Sequence, residues 1–96
     1  MSGLVRFERN PDYIYRKIVE EAVLVPLHQD VADMESIYSL NEVGAFIWES
    51  LEQPKTMADL LNTMEMEYDA PVEVLSSDLE HFLDELTTIG ALRETA

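Results

Sequence analysis

The sequence predicts an α+β domain in which a three-stranded antiparallel sheet is followed by three helices, and three observations carry that prediction. Residues Tyr13 to Leu40 hold short runs rich in aromatic and β-branched side chains. At Asn41 the spacing of apolar residues changes from two to about 3.6. The chain has 96 residues, 47% of them apolar, which suits one hydrophobic core and no more.

Residues 1–12 lack periodicity and end in the turn signal Asn10-Pro11-Asp12, so they read as a flexible N-terminal arm. Tyr13 to Val19 and Ala22 to Leu27 flank Glu20-Glu21 and suggest a hairpin, although two glutamates are poor tight-turn chemistry. Pro26 cannot donate to a ladder and marks where pairing ends on its strand. The polar stretch His28 to Glu35 is a connecting loop, and Ser36-Ile37-Tyr38-Ser39-Leu40 forms the third strand of a meander.

Asn41 is a strong N-cap for a first helix running to about Leu51, with Val43, Phe46, Ile47 and Leu51 on one side. Thr56-Met57-Ala58-Asp59 is a capping-box variant that opens a second helix, whose apolar face is Met57, Leu60, Leu61, Met64 and Tyr68. Pro71 suits the first turn of a third helix, which stops at Gly90, the residue that best tolerates a left-handed cap. At 100° per residue its apolar positions, from Val74 through Phe82, Leu75 and Leu79 to Leu83, spread over roughly half the cylinder, more than one core requires. One flank then faces a binding groove, a dimer contact or a deeper part of the core. Residues 93–96 read as a C-terminal tail.

Charge narrows the partners. Residues 1–17 carry a local net charge of +2, and the remainder carries −16 within a total of −14. Such a surface repels nucleic-acid phosphates and anionic lipid and favours cationic segments, or it serves solubility alone. No run approaches the ~18 apolar residues of a membrane span, and no secretory signal is visible. The expected compartment is the cytoplasm.

Chemistry for catalysis is missing. There is no Cys, and the two histidines, His28 and His81, lie 53 positions apart without metal-ligand spacing. Gly3, Gly44 and Gly90 build no phosphate cradle, and no carboxylate pair stands out as acid and base. The expectation is a protein with no catalytic residues, metal or cofactor. An acyl carrier, also small and acidic, needs Asp-Ser-Leu at a helix start; this chain has Ser77-Asp78-Leu79 in mid-helix.

The third strand lacks the protection that sheet edges usually carry. No Lys or Arg lies between Lys17 and Lys55, and no Pro between Pro26 and Pro54. An incoming strand could join that edge by β-augmentation; a covered edge or a strand-swapped dimer is the competing reading.

Leu40-Asn41-Glu42-Val43-Gly44-Ala45-Phe46-Ile47-Trp48, the Thr56-x-x-Asp59-Leu60 start, Tyr68, and Asp78-Leu79…Phe82-Leu83…Leu86…Ile89-Gly90-Ala91-Leu92 together resemble the PqqD family, the pyrroloquinoline quinone biosynthesis protein D and related peptide-recognition elements. The resemblance covers roughly Tyr13 to Leu92, and it implies a winged helix-turn-helix-like domain over residues 13–92 that does not bind DNA. It further implies a peptide chaperone that binds the leader of a ribosomally made precursor and presents it to a modifying enzyme, often a radical S-adenosylmethionine protein. By position, the leader would lie as an added strand along Ser36, Ile37, Tyr38, Ser39 and Leu40. The helix wall beside it would come from Leu75, Asp78, Leu79, Phe82, Leu83 and Leu86. Two alternatives are a winged-helix DNA-binding domain and a purely structural dimerisation module. The first conflicts with a third helix that has five carboxylates and no Lys or Arg.

Overall fold

The structure is a computed structural model that describes residues 5–19, 21–27 and 37–95. Two small sheets and three helices share one core. The strands are β1 (Arg6–Arg9), β2 (Tyr13–Ile18), β3 (Glu21–Pro26), β4 (Tyr38–Leu40), β5 (Lys55–Thr56) and β6 (Leu92–Thr95); the helices are α1 (Glu42–Ser50), α2 (Met57–Glu67) and α3 (Val72–Ile89).

The expected meander is present as a sheet of order β2-β3-β4, antiparallel throughout. Its hairpin turns one residue earlier than Glu20-Glu21 suggested: Ile18 pairs directly with Glu21, and Val19 takes a positive φ of 53°. Pro26 is the last residue of β3, as its missing N–H requires. The expected loop His28–Glu35 and Ser36 of the expected strand lie outside the described residues.

Two expectations about the chain ends are corrected. Residues 6–9, assigned to a flexible arm, form the middle strand of a second sheet of order β5-β1-β6, and residues 92–95, assigned mostly to a tail, form its edge. The cause is long-range pairing: Arg6 faces both Thr56 and Thr95, and Arg9 faces Leu92. Asn10 then ties the following turn down. Its side chain accepts from the Asp12 N–H at 2.9 Å and donates to the Gly90 carbonyl at 2.8 Å, while its own N–H donates to the Ala91 carbonyl at 2.9 Å.

Local chemistry explains the helices. Asn41 caps α1 by accepting the Gly44 N–H at 2.7 Å. Thr56 and Asp59 complete the capping box of α2. Gly90 ends α3 at φ 88°, with the Ala91 N–H returning to the Leu86 carbonyl at 2.9 Å. The C-terminal end of α1 has no basic residue of its own, and Arg9 of β1 supplies one: Nε and Nη2 donate to the Trp48 carbonyl at 3.1 and 2.6 Å, and the guanidinium stands 5.2 Å from the Trp48 ring centre.

The core lies where the three helices meet the inner faces of both sheets. Trp48 is its largest fully buried side chain, with Leu24, Ile47, Leu60, Leu79 and Leu86 around it. Each such side chain contributes about 1.5–3 kcal/mol by leaving water. Trp48 and Ala45 belong to this buried face of α1, whereas Val43 and Phe46, expected there, are only half-buried. No helix among the described residues is long and apolar enough to cross a membrane.

A groove between the edge strand and the third helix

β4 pairs with β3 through Leu24↔Tyr38, Val23↔Ser39 and Ala22↔Leu40, and among the described residues no strand pairs with its other side. On that open side a groove of about 340 Å³ runs between β4 and α3. Tyr38, Ser39 and Leu40 form one wall. Val43, Gly44 and Ile47 of α1 form the floor, with Asn41 at one end. Asp78, His81, Phe82 and Glu85 form the helix wall.

Gly44 explains how α1 and α3 come this close. A Cβ at that position would lie 2.9 Å from Cε1 of Phe82, so the absence of a side chain lets the aromatic ring rest on the first turn of α1. The ring thereby separates the groove from the core.

The groove is acidic on its helix side, where Asp78 and Glu85 are both exposed. Across it, burial and a hydrogen bond to the Glu85 carboxylate push the Tyr38 phenol up to about 12. Among the described residues no group of three or more His, Asp or Glu side chains is placed to hold a metal ion. What the site offers is an open row of main-chain groups, an aromatic floor edge and two carboxylates, which is equipment for holding an extended, preferably cationic chain.

The structure unites part of the residue set expected from sequence. Tyr38, Ser39, Leu40, Asp78 and Phe82 line the groove; Ile37 immediately precedes β4; Ser36 lies outside the described residues. Leu75, Leu79, Leu83 and Leu86 do not line it, because all four are buried in the core. His81 and Glu85 were missed. Helical geometry could have found them: at 100° per residue, His81, Glu85, Asp78 and Phe82 follow one another across about 100° of one flank, while the four leucines occupy the arc beyond. Val74 and Ile89, both exposed, lie on the same flank.

A family model described as coenzyme PQQ synthesis protein D (PqqD) matches residues 21–92. The chain belongs to the PqqD family. Among solved structures, TbiB1 in complex with the TbiA(beta) leader peptide superposes with a TM-score of 0.74 at 25% identity, covering 93% of this chain and 98% of that one. Lasso peptide synthetase B1 complexed with the leader peptide superposes at 0.72 and 18% identity, covering 91% and 96%. No curated protein matches the chain. The PqqD-family match begins at the first residue of β3 and ends at the first residue of β6, so it includes both walls of the groove.

Proposed function

We propose that this member of the PqqD family is a non-catalytic cytoplasmic protein that binds the leader of a ribosomally made precursor peptide and presents it to a modifying enzyme. The leader adds as a strand to the open edge of β4 and lies in the groove against Asp78, His81, Phe82 and Glu85. The observation that supports this reading is the side of β4 that faces the groove, with which no strand pairs among the described residues. Main-chain hydrogen bonds supply affinity, and Asp78 and Glu85 favour a cationic side chain on the guest. The two superposing structures are themselves leader-peptide complexes, which agrees with the reading.

Titration of the isotopically labelled protein with the leader of a candidate precursor peptide tests this directly. Backbone amide signals of Ile37 to Leu40, and of Asp78 to Glu85, should move and saturate together. Saturation of binding with the Ile37–Leu40 amides unmoved would refute the docking strand.

A further inference from the structure

A second cavity, of about 570 Å³, lies on the other side of α1 from the groove. At 100° per residue Val43, Gly44 and Ile47 turn to the groove, while Glu42, Phe46 and Glu49 occupy the opposite half of the helix and turn to this cavity. Its sheet side is the row Lys17, Ala22 and Leu40, register partners on three adjacent strands. Tyr68, the C-cap of α2, closes it and stands edge-on to Phe46 with ring centres 5.4 Å apart. The two cavities meet at Leu40 and Asn41, which line both. Asn41 and Glu42 are exposed there, so the way round the start of α1 is open.

This cavity has an excess of carboxylates over cations. Lys17 is paired with Glu49 at 3.9 Å, and Glu49 also accepts from the Tyr15 hydroxyl at 2.6 Å. Glu42 and Glu67, which line the same cavity, make no ion pair among the described residues. Both stand close enough to Tyr68 for their charge to add to burial in raising its phenol pKa. A half-buried aromatic pair beside two carboxylates without a counter-ion suits the long side chain of Lys or Arg, whose stem covers ring surface while its head meets the carboxylates.

The direction of the sheet indicates which part of a guest reaches it. Every pair in the β2-β3-β4 sheet is antiparallel, so a guest that continues the pattern along β4 runs from Leu40 towards Tyr38. The residues before its paired stretch then emerge at Asn41, between the two cavities. A helix with its side chains is about 10 Å across, which an extended chain covers in about three residues.

We propose that the cavity between α1, Tyr68 and the inner face of the sheet is a second subsite for the same leader, taking a Lys or Arg side chain about three to five residues before the stretch that pairs with β4. The inference rests on the strand addition proposed above and adds a specificity determinant to it: Glu42 and Glu67 hold the cation, and Phe46 and Tyr68 its stem.

The test titrates the full chain as wild type, as the double variant Glu42→Gln/Glu67→Gln, and as Tyr68→Ala. Two synthetic peptides serve as probes: the leader of a candidate precursor peptide, and the same leader with the Lys or Arg of that window replaced by Gln. The double variant keeps side-chain size at two exposed positions, so a loss of binding in it is not misfolding. Affinity for the unaltered leader should fall about fivefold or more in the double variant and about tenfold in Tyr68→Ala. The Gln peptide should bind wild type and the double variant within about twofold of each other. Equal losses for both peptides in the double variant, or a loss for neither, overturn the proposal, as does a leader that engages β4 without a Lys or Arg in the window. Amide signals distinguish this subsite from the strand. Movement at Phe46 and Tyr68 with Ile37 to Leu40 unmoved removes strand addition and leaves the cavity as the leader's site; the reverse removes the cavity and leaves strand addition; movement of neither set overturns both.

Discussion

Replacing Gly44 with alanine sets two effects of similar size against each other. A helix interior favours Ala over Gly by about 0.5–1 kcal/mol. Against that, the new Cβ would stand 2.9 Å and 3.3 Å from two carbons of the Phe82 ring and 3.2 Å from the Asn41 cap oxygen. Overpacking of this kind costs about 1–3 kcal/mol. Phe82 is 9% exposed and belongs to both core and groove, so its ring can yield only toward the groove. The net effect expected for Gly44→Ala is a loss of about 0.5–2 kcal/mol in urea unfolding, together with weaker leader binding because the displaced ring takes up room between β4 and α3. A second substitution, Phe82→Leu, should remove most of the stability penalty of the first, giving a measurable coupling between the two sites. If Gly44→Ala is about 1 kcal/mol more stable than wild type and binds leader equally well, the close approach of α1 and α3 is not what shapes the groove.

Two further outcomes test the frame around the site. Arg9→Ala removes two charge-assisted hydrogen bonds to the Trp48 carbonyl and should cost about 1.5–3 kcal/mol by denaturant unfolding; Arg9→Lys should restore only part of it. In alkali, Tyr15 and Tyr38 should ionise late: for both, burial first and then a hydrogen bond to a glutamate raise the phenol from its ordinary 10.0 to about 12. Their contribution to stability is whole below pH 10 and disappears as pH rises from 10 to about 12, so unfolding should set in over that range with phenolate absorbance appearing alongside it. Phenolate absorbance from both residues complete by pH 10, with the fold intact, would contradict this.

The elements that sequence reading recovered are those written in local chemistry. Asn41, the Thr56–Asp59 box and Gly90 each act within a few residues, and each does so in the structure. β1 and β6 escaped because their partners are distant: Phe7 meets Lys55 and Glu94, and a four-residue strand with a single apolar residue has no local mark that separates it from an arm. At the site, the absence of Lys, Arg and Pro on one segment pointed to an unprotected edge, and among the described residues no strand pairs with that side of β4. The helix wall was only half legible. The resemblance placed Leu75, Leu79, Leu83 and Leu86 there by position, yet their apolar spacing marks the side that turns inward; the groove is lined by the neighbouring flank, where Phe82 borders Asp78, His81 and Glu85.

The floor helix α1 is fixed at both extremities, by the Asn41 amide at the groove and by the Arg9 guanidinium at the far end. A receptor clamped in this way surrenders little freedom of its own on association, so the entropic penalty of forming the complex falls on the guest. Affinity should then respond steeply to anything that stiffens the peptide into an extended shape beforehand, and hardly at all to further rigidification of the receptor.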